Sequence, residues 1–194
     1  LFVSGSPVDI TTTTIKGPGT GIGVDISGYN RSINITDSVI TGTEKGVQID
    51  GTFSSGAITF SGNNFVGNSV YHLENISAKG ITATANYWGS DDEGVIKSKI
   101  YDYLDDIEYG EVDYSGSLSA VNTTAPLSPP SNLSGQTGPT TMQLSWTANA
   151  ESDIAEYKVY YDTDGSGYPY ANSVSTGSTS ASYTLTGLTT GTTY

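Results

Sequence analysis

Five polar side chains recur at similar places along the first half of the chain and could do chemistry together: Asp25, Gln48, Asp50, His72 and Glu74. Alignment of the segments around them predicts that they point outward from one sheet, with Asp50 and Glu74 roughly 5 Å apart, one strand spacing. Two carboxylates at that distance suit a retaining glycosidase, and they could instead share a Ca²⁺ ion. His72 could orient or protonate a sugar. A solvated outward face that binds nothing is the third interpretation, and the sequence leaves all three open.

Composition narrows the possible functions. The 194 residues carry a formal net charge of −13, which excludes a general nucleic-acid binder because such proteins need a basic face. Cysteine is absent, so disulfides, thiolate nucleophiles and thiolate metal sites are excluded. No apolar run approaches the roughly 20 residues of a membrane span. We therefore expect no nucleic-acid partner, no membrane span and no cofactor, with calcium as the exception that the acidic side chains allow.

The elements that must position these side chains follow from an internal repeat. Four segments align without gaps and begin 25, 25 and 23 residues apart. They are VDITTTTIKG from Val8, INITDSVITG from Ile33, ITFSGNNFVG from Ile58 and ITATANYWG from Ile81. Each segment opens with alternating apolar and polar residues, the pattern of a half-buried strand. A unit this short cannot bury its apolar face alone, so the copies must stack. The repeat therefore predicts a parallel β-helix over residues 1–89.

Equivalent residues of stacked coils should form columns. One apolar column is expected from Ile15, Ile40, Phe65 and Trp88, and one polar column at a bend from Thr13, Ser38, Asn63 and Asn86. A second alternating triplet follows in three of the units. It is Val24-Asp25-Ile26, Val47-Gln48-Ile49 and Tyr71-His72-Leu73. This alignment places Gln48 and Asp50 beside His72 and Glu74.

The remaining chain divides into a cap, a linker and a second domain. Residues 90–124 are expected to cover the last coil, with an amphipathic helix from Asp92 to Leu104 and a short strand within 110–118. Residues 125–131 are rich in proline and predict an extended linker. Residues 132–194 contain alternating segments that predict the strands of a β-sandwich. The fold class is therefore all-β, a right-handed parallel β-helix joined to a sandwich.

The second domain resembles a fibronectin type III domain. The resemblance rests on the entry Pro129-Pro-Ser-Asn-Leu133, on Leu144-Ser-Trp146, on Tyr157-Lys-Val-Tyr-Tyr161, and on Leu188 six residues before Tyr194. It implies a seven-stranded sandwich, of which about two strands are missing before the sequence stops. We expect either that the chain is a window on a longer protein or that a neighbouring copy supplies the missing strands. The intact mass of the native chain, with both termini sequenced, distinguishes these cases.

The first 124 residues resemble the end of a right-handed β-helix of the pectate-lyase-like superfamily. The run Asn86-Tyr-Trp-Gly89, the acidic helix after it and Val112-Asp-Tyr114 carry this resemblance. It implies a secreted bacterial or archaeal protein. The active sites of that superfamily pair acidic calcium ligands with an Arg or Lys base, and neither Arg31 nor the turn lysines have an acid cluster in matching positions.

Two further patterns are weaker. Asp162-Thr-Asp164-Gly-Ser-Gly167 resembles the start of a calcium loop but lacks the glutamate at position 12, so a hairpin turn is favoured. Five Asn-x-Ser/Thr sequons permit N-glycosylation at Asn30, Asn34, Asn75, Asn122 and Asn132.

These patterns favour a non-catalytic, extracellular structural or adhesive segment on a cell surface or filament. Its expected partners are copies of itself or further domains of a longer chain, together with polysaccharide. The alternative is the C-terminal portion of a secreted polysaccharide lyase or glycoside hydrolase whose active coils precede residue 1.

Overall fold

The computed structural model describes residues 2–3, 7–28, 32–149, 151 and 154–194, with side chains from residue 7 onward. The described chain is all-β apart from one short helix. It forms two compact units, Leu1–Ser128 and Pro129–Tyr194, and each is considered by itself.

The first unit is a parallel β-solenoid. Its elements are β1 (Phe2–Val3), β2 (Val8–Thr11), β3 (Thr14–Lys16), β4 (Ile22–Ile26), β5 (Ile33–Thr36), β6 (Val39–Thr41), β7 (Lys45–Ile49), β8 (Ile58–Ser61), β9 (Asn64–Val66), β10 (Tyr71–Asn75), β11 (Ile81–Thr82), α1 (Glu93–Ser98), β12 (Ile100–Tyr101) and β13 (Val112–Asp113). Sheet one has the order β1-β4-β7-β10-β12, sheet two β13-β11-β8-β5-β2 and sheet three β3-β6-β9. Every pairing within these sheets is parallel, so successive coils add strands to the same sheets, as the repeat predicts.

The apolar column predicted from the repeat is confirmed. Ile15 pairs with Ile40 and Ile40 with Phe65, in the register that the ungapped alignment requires. The rings of Phe65 and Trp88 stack with centroids 4.6 Å apart and planes 7° apart. Phe65 and Trp88 are fully buried. Flat stacking of this kind continues the column into the coil that the cap covers, although strand pairing there is reduced to a single bridge.

The polar column at the bend between sheets two and three is also confirmed. The backbone N–H of Thr13 donates to Ser38 Oγ at 3.1 Å, that of Ser38 to Asn63 Oδ1 at 3.0 Å and that of Asn63 to Asn86 Oδ1 at 2.8 Å. The Asn86 amide in turn donates to the carbonyl oxygen of Phe60 at 3.0 Å. Each side chain therefore satisfies backbone groups of the coil before it, where a bend interrupts the strand ladder.

The predicted register of the third coil in sheet one is wrong. Val47 pairs with Leu73 rather than with Tyr71, because the turn before β10 (residues 67–70) is one residue longer than the turn before β7 (residues 42–44). Leu73 therefore fills the apolar column, and buried Asn75 lies opposite Ile49. Gly46 makes this packing possible, since a Cβ at that position would lie 2.5 Å from the His72 carbonyl oxygen.

A helix follows the last coil, as expected for a cap, but it is shorter than the predicted Asp92 to Leu104. Asp92 is the N-cap, and its carboxylate accepts the backbone N–H of Val95 at 3.0 Å. The helix ends at Ser98 because Ile100–Tyr101 joins sheet one beside β10. Buried Asp102 then accepts the backbone N–H of Val112 at 2.7 Å, which fixes β13 against β11.

The second unit is an open sandwich of two antiparallel sheets. One sheet has the order β14 (Ser131–Thr137), β15 (Thr141–Thr147), β18 (Ser182–Thr186), and the other pairs β16 (Lys158–Tyr161) with β17 (Asn172–Ser175). Trp146 packs edge to face on Tyr157, with ring centroids 4.9 Å apart. The backbone N–H of Thr189 donates to the Tyr194 hydroxyl at 2.9 Å, a side-chain bond that holds the turn after β18.

The apolar column supplies the first prediction. Phe65→Asp should lower the free energy of unfolding by about 3 kcal/mol or more, because it buries an unpaired charge between Ile40 and Trp88. The measurement is urea unfolding followed by circular dichroism. Thr59→Asp, on the outward face of β8 between Asn34 and Thr82, is the matched control and should change stability by no more than about 1 kcal/mol. Equal unfolding curves for the two variants would contradict the stacked column.

Candidate functional site

The outward face of sheet one brings most of the candidate residues together, in a register that differs from the predicted one. Asp25 pairs with Gln48, Gln48 with Glu74, and Glu74 with Tyr101. A second row, which lies three residues earlier on β7 and β10, places Lys45 beside Tyr71. We call Asp25, Lys45, Gln48 and Glu74 the polar wall.

Glu74 is the centre of the polar wall. Only 6% of the residue is exposed. Its Oε2 lies 2.6 Å from Lys45 Nζ and also accepts a short hydrogen bond from the Gln48 amide. A carboxylate removed from water is costly unless it is paired and hydrogen-bonded, and these two donors meet both needs. The wall therefore holds one charge-neutral, hydrogen-bonded cluster.

The predicted pairing of Asp50 with Glu74 is not formed. Asp50 lies just beyond β7, where its Oδ1 accepts the backbone N–H of Thr52 at 2.7 Å and the Thr52 hydroxyl at 2.5 Å. Its carboxylate therefore holds a turn, and Gln48 takes the position opposite Glu74. The two-residue shift of the third coil is the reason, and the two-carboxylate geometry of a retaining glycosidase does not arise between these residues.

The predicted outward orientation of His72 is also wrong. His72 is 3% exposed and its ring centroid lies 6.2 Å from that of Phe65. Its Nδ1 is 3.1 Å from Asn68 Nδ2, which fits a neutral ring that accepts there. Burial, aided by the nearby positive charge of Lys99, lowers the pKa of His72 from 6.5 to about 4, although a hydrogen bond to the Trp88 backbone opposes the shift.

Asp25 completes the polar wall at its first coil. Its Oδ1 is buried and accepts no hydrogen bond from the described residues. Its carboxylate is one strand from Gln48 and two strands from Glu74, and Asp50 is engaged in its own turn. A calcium or glycan role for Asp25, Gln48, Asp50, His72 and Glu74 stays a prediction.

Tyrosines extend the wall toward the cap. The ring of Tyr101 lies 5.4 Å from that of Tyr71 and 6.0 Å from that of Tyr109. Loss of hydration, with a smaller contribution from Asp106, raises the pKa of Tyr101, so its hydroxyl stays protonated and can donate. The tyrosine-rich stretch of the cap is the sequence signal for this cluster, but the partnership with Tyr71 depends on the corrected register.

The suspected calcium loop forms the connection between β16 and β17. Asp164 Oδ1 accepts the backbone N–H and the hydroxyl of Ser166, each at 2.8 Å, and these bonds lower the pKa of Asp164. Gly165 and Gly167 have φ of 65° and 79°. This is the geometry of a local turn held by an aspartate side chain, within the ten-residue connection of residues 162–171. Asp162 is buried, and calcium at Asp162 and Asp164 stays a prediction.

The sequons differ in accessibility. Fully buried Asn75 donates its amide to the carbonyl oxygens of Lys79 and Gly110, and Asn122 donates to Asp37 and Gly62. Glycosylation replaces one of the two amide hydrogens, so at either residue it would break at least one of these bonds. Asn34 and Asn132 each donate to one solvent-exposed side chain, Asp9 and Thr147 respectively, and Asn30 lies outside the described residues.

Metal sites and membrane spans both depend on how side chains and helices are arranged in the described part of the chain. Within it, no group of three or more His, Asp or Glu side chains is placed to hold a metal ion. The same residues contain no helix that is long and apolar enough to cross a membrane.

Comparison with known proteins identifies the second unit. The family model for the fibronectin type III domain matches residues 128–194, which coincides with the compact unit Pro129–Tyr194. This part of the chain is therefore a fibronectin type III domain, as its motifs predict. No curated protein and no solved structure matches the chain significantly. Membership of the solenoid in the pectate-lyase-like superfamily stays a prediction.

Buried His72 predicts a stability that depends on pH. The unfolded chain binds a proton at this ring near pH 6.5 and the folded chain only near pH 4, so stability falls as the pH drops through that window. Between pH 7.5 and 5 this residue should remove about 2 kcal/mol from the free energy of unfolding. Urea titrations at both pH values check this. His72→Gln, which cannot titrate, should lack this part of the change.

The ring can also be followed directly. His72 is the single histidine of the chain, so its carbon-bound ring protons give one set of imidazole signals in a proton spectrum. A midpoint near 6.5 in the folded protein would contradict its burial.

The Lys45–Glu74 pair predicts an asymmetry between two salt bridges. Lys45→Ala leaves the Glu74 carboxylate buried without its counter-charge and should cost about 3 kcal/mol of unfolding free energy. Lys97→Ala is the matched control, because it removes a lysine from a solvent-exposed pair with Glu93 at 2.7 Å and should leave stability almost unchanged. Thermal unfolding of both variants tests this, and similar losses would show that the wall is no more than a surface ion pair.

Proposed function

We propose that this chain is an extracellular structural or adhesive segment, in which a capped β-solenoid is a rigid scaffold joined to a fibronectin type III module. The observation that carries this proposal is how the potentially reactive groups of the solenoid are used. Glu74 is paired with Lys45, Asp50 holds a turn, and His72 is packed in the core. The side chains that could have formed an acid–base pair instead join neighbouring coils or close turns.

Rigidity supports a scaffold role. The apolar column from Ile15 to Trp88 passes from coil to coil through apolar side chains. In the polar column from Thr13 to Asn86, each backbone N–H at the bend is bonded to a side chain of the next coil. In a solenoid each repeat contacts only its neighbours, and columns that cross every interface tie each coil to the next, which is the arrangement of a stiff rod in this proposal. A stiff rod suits a stalk, a sheath or a filament better than it suits an enzyme that must close on substrate.

The proposed location follows from the second unit and from composition. Fibronectin type III domains are common in extracellular and cell-surface proteins, and residues 128–194 form one. Absence of cysteine and a net charge of −13 suit a bacterial or archaeal surface. Kinship of the solenoid with secreted pectate-lyase-like proteins is part of this proposal. Further domains of a longer chain, or copies of it, are the proposed partners.

The competing proposal is the C-terminal portion of a secreted polysaccharide lyase or glycoside hydrolase. It would place its acids and bases on coils outside this chain. The polar wall gives it little support, because Lys45, which could act as a base, is already paired with the Glu74 carboxylate.

Location on intact cells tests the proposal. An antibody raised against the 194-residue chain should label intact cells of the source organism, and brief external protease treatment should remove the label. A cytoplasmic protein followed in parallel controls for leakage. Labelling that needs permeabilised cells would overturn the extracellular assignment.

The native protein, recovered at its full length from cells or culture medium, separates scaffold from enzyme. It should release neither reducing ends nor unsaturated uronates from pectate, xylan or cellulose. Release that survives Glu74→Gln would place an active site elsewhere on the native chain and would favour the enzyme.

A further inference from the structure

The fibronectin type III domain exposes an unusual amount of aromatic surface at one place. Tyr160, Tyr168 and Tyr170 are 50%, 85% and 42% exposed. Other aromatic side chains of the domain are more covered, since Tyr157 is 9% exposed and packs on Trp146. The three exposed rings therefore do not reflect a general failure to bury aromatic residues.

The exposed rings form one contiguous cluster. The ring centroids of Tyr160 and Tyr170 are 6.5 Å apart, as are those of Tyr170 and Tyr168. Lys158 Nζ lies 5.2 Å from the centroid of the Tyr160 ring. We call Lys158, Tyr160, Tyr168 and Tyr170 the tyrosine platform.

The fold does not require these side chains. Burial alternates along β16, so that Val159 and Tyr161 are partly covered while Lys158 and Tyr160 point to solvent. Tyr168 and Tyr170 lie on the connection to β17, ahead of its first residue. Solvent-exposed aromatic rings grouped in this way are typical of binding surfaces, where rigid amphipathic rings supply contact area at little cost in entropy.

We propose that the tyrosine platform binds a neutral polysaccharide. The faces of a pyranose ring present C–H groups that pack on the faces of aromatic rings, while its hydroxyls need hydrogen-bond partners at the edge. Tyr160 and Tyr170, with planes 37° apart, form a slightly bent floor, and Tyr168, at 78° to Tyr170, forms a wall. The phenol hydroxyls and the Lys158 ammonium supply polar groups around that floor.

The negative charge of the domain favours a neutral polysaccharide over an anionic polymer. Residues 129–194 contain five carboxylates and one lysine, a net charge of −4, and the whole chain carries −13. Nucleic acids and polyuronates would be repelled, because their affinity depends on basic groups that this surface lacks. Lys158 alone does not reverse this balance.

Hydrogen-bond chemistry favours a sugar over a proline-rich peptide, which also docks on aromatic surfaces. The loop that carries the platform exposes the carboxylate of Asp164, which accepts two hydrogen bonds from Ser166 and has acceptor capacity for more. Sugar hydroxyls can donate to a carboxylate, whereas proline has no N–H to donate. An acidic rim therefore adds affinity for a glycan and none for a polyproline segment.

The test is affinity gel electrophoresis of the full chain in gels that contain hydroxyethyl cellulose, galactomannan or dextran. At least one of these polymers should retard the protein. Tyr160→Ala and Tyr168→Ala should each weaken that retardation at least fivefold in apparent Kd, and their combination more. Raising the salt concentration should change it little, because the contact is not ionic.

Two variants separate binding from folding. Tyr160→Phe keeps the ring and should retain most of the affinity. Tyr103→Ala, which removes a tyrosine of similar exposure (44%) from the solenoid cap, should leave retardation unchanged.

Three results would overturn the proposal. They are no retardation by any of the three polymers, retardation that both tyrosine-to-alanine variants preserve, and retardation by polygalacturonate or a proline-rich peptide in place of the neutral polymers. None of these results would contradict the proposed scaffold role, because that proposal rests on the solenoid.

Discussion

The structure of the solenoid depends on one constraint, which is that backbone groups at the bends of each coil need partners that the sheets cannot supply. Strand pairing satisfies the straight segments, but the bend between sheets two and three turns its N–H groups away from the ladder. Ser38, Asn63 and Asn86 solve this by accepting the N–H of the coil before. Asn68 does the same at the next bend, where it accepts the backbone N–H of Thr43 at 3.2 Å.

The apolar core and the cap follow from that constraint. Side-chain ladders at the bends keep successive coils in register, and register places Phe65 directly between Ile40 and Trp88. The last coil has few strand bonds of its own, so it is held by ring stacking and by the cap. Lys99, just after the helix, donates to three carbonyl oxygens of residues 68–70 at 3.1–3.2 Å. The cap therefore provides donors where another coil would have provided a strand.

Much of this could be predicted from the sequence because the repeat carries it. Segments 25 residues apart predict both columns, and the exact alignment of Ile33 with Ile58 fixes sheet two. The predicted register of sheet one is wrong in the third coil, because a turn of different length shifts the partner of Val47 by two residues. A two-residue shift leaves the alternation of apolar and polar residues unchanged, so the sequence pattern does not reveal it. The predicted pairing of Asp50 with Glu74 is wrong for the same reason. The inward turn of His72 has no signal in a binary pattern, because it depends on Gly46 in the neighbouring coil.

The two units differ in what their outward side chains can do. Within the solenoid, an outward residue on a central strand has neighbours on both sides about 4.8 Å away. Glu74 therefore meets Gln48 directly across the sheet, and Lys45 of the same neighbouring strand reaches its carboxylate. In the hairpin of β16 and β17, Tyr160 lies opposite Ser173, a residue with a small side chain. Its ring is left to neighbours from the loop and to solvent. Stacking thus turns polar side chains into structural partners, whereas a small residue opposite a tyrosine leaves its ring available to a ligand.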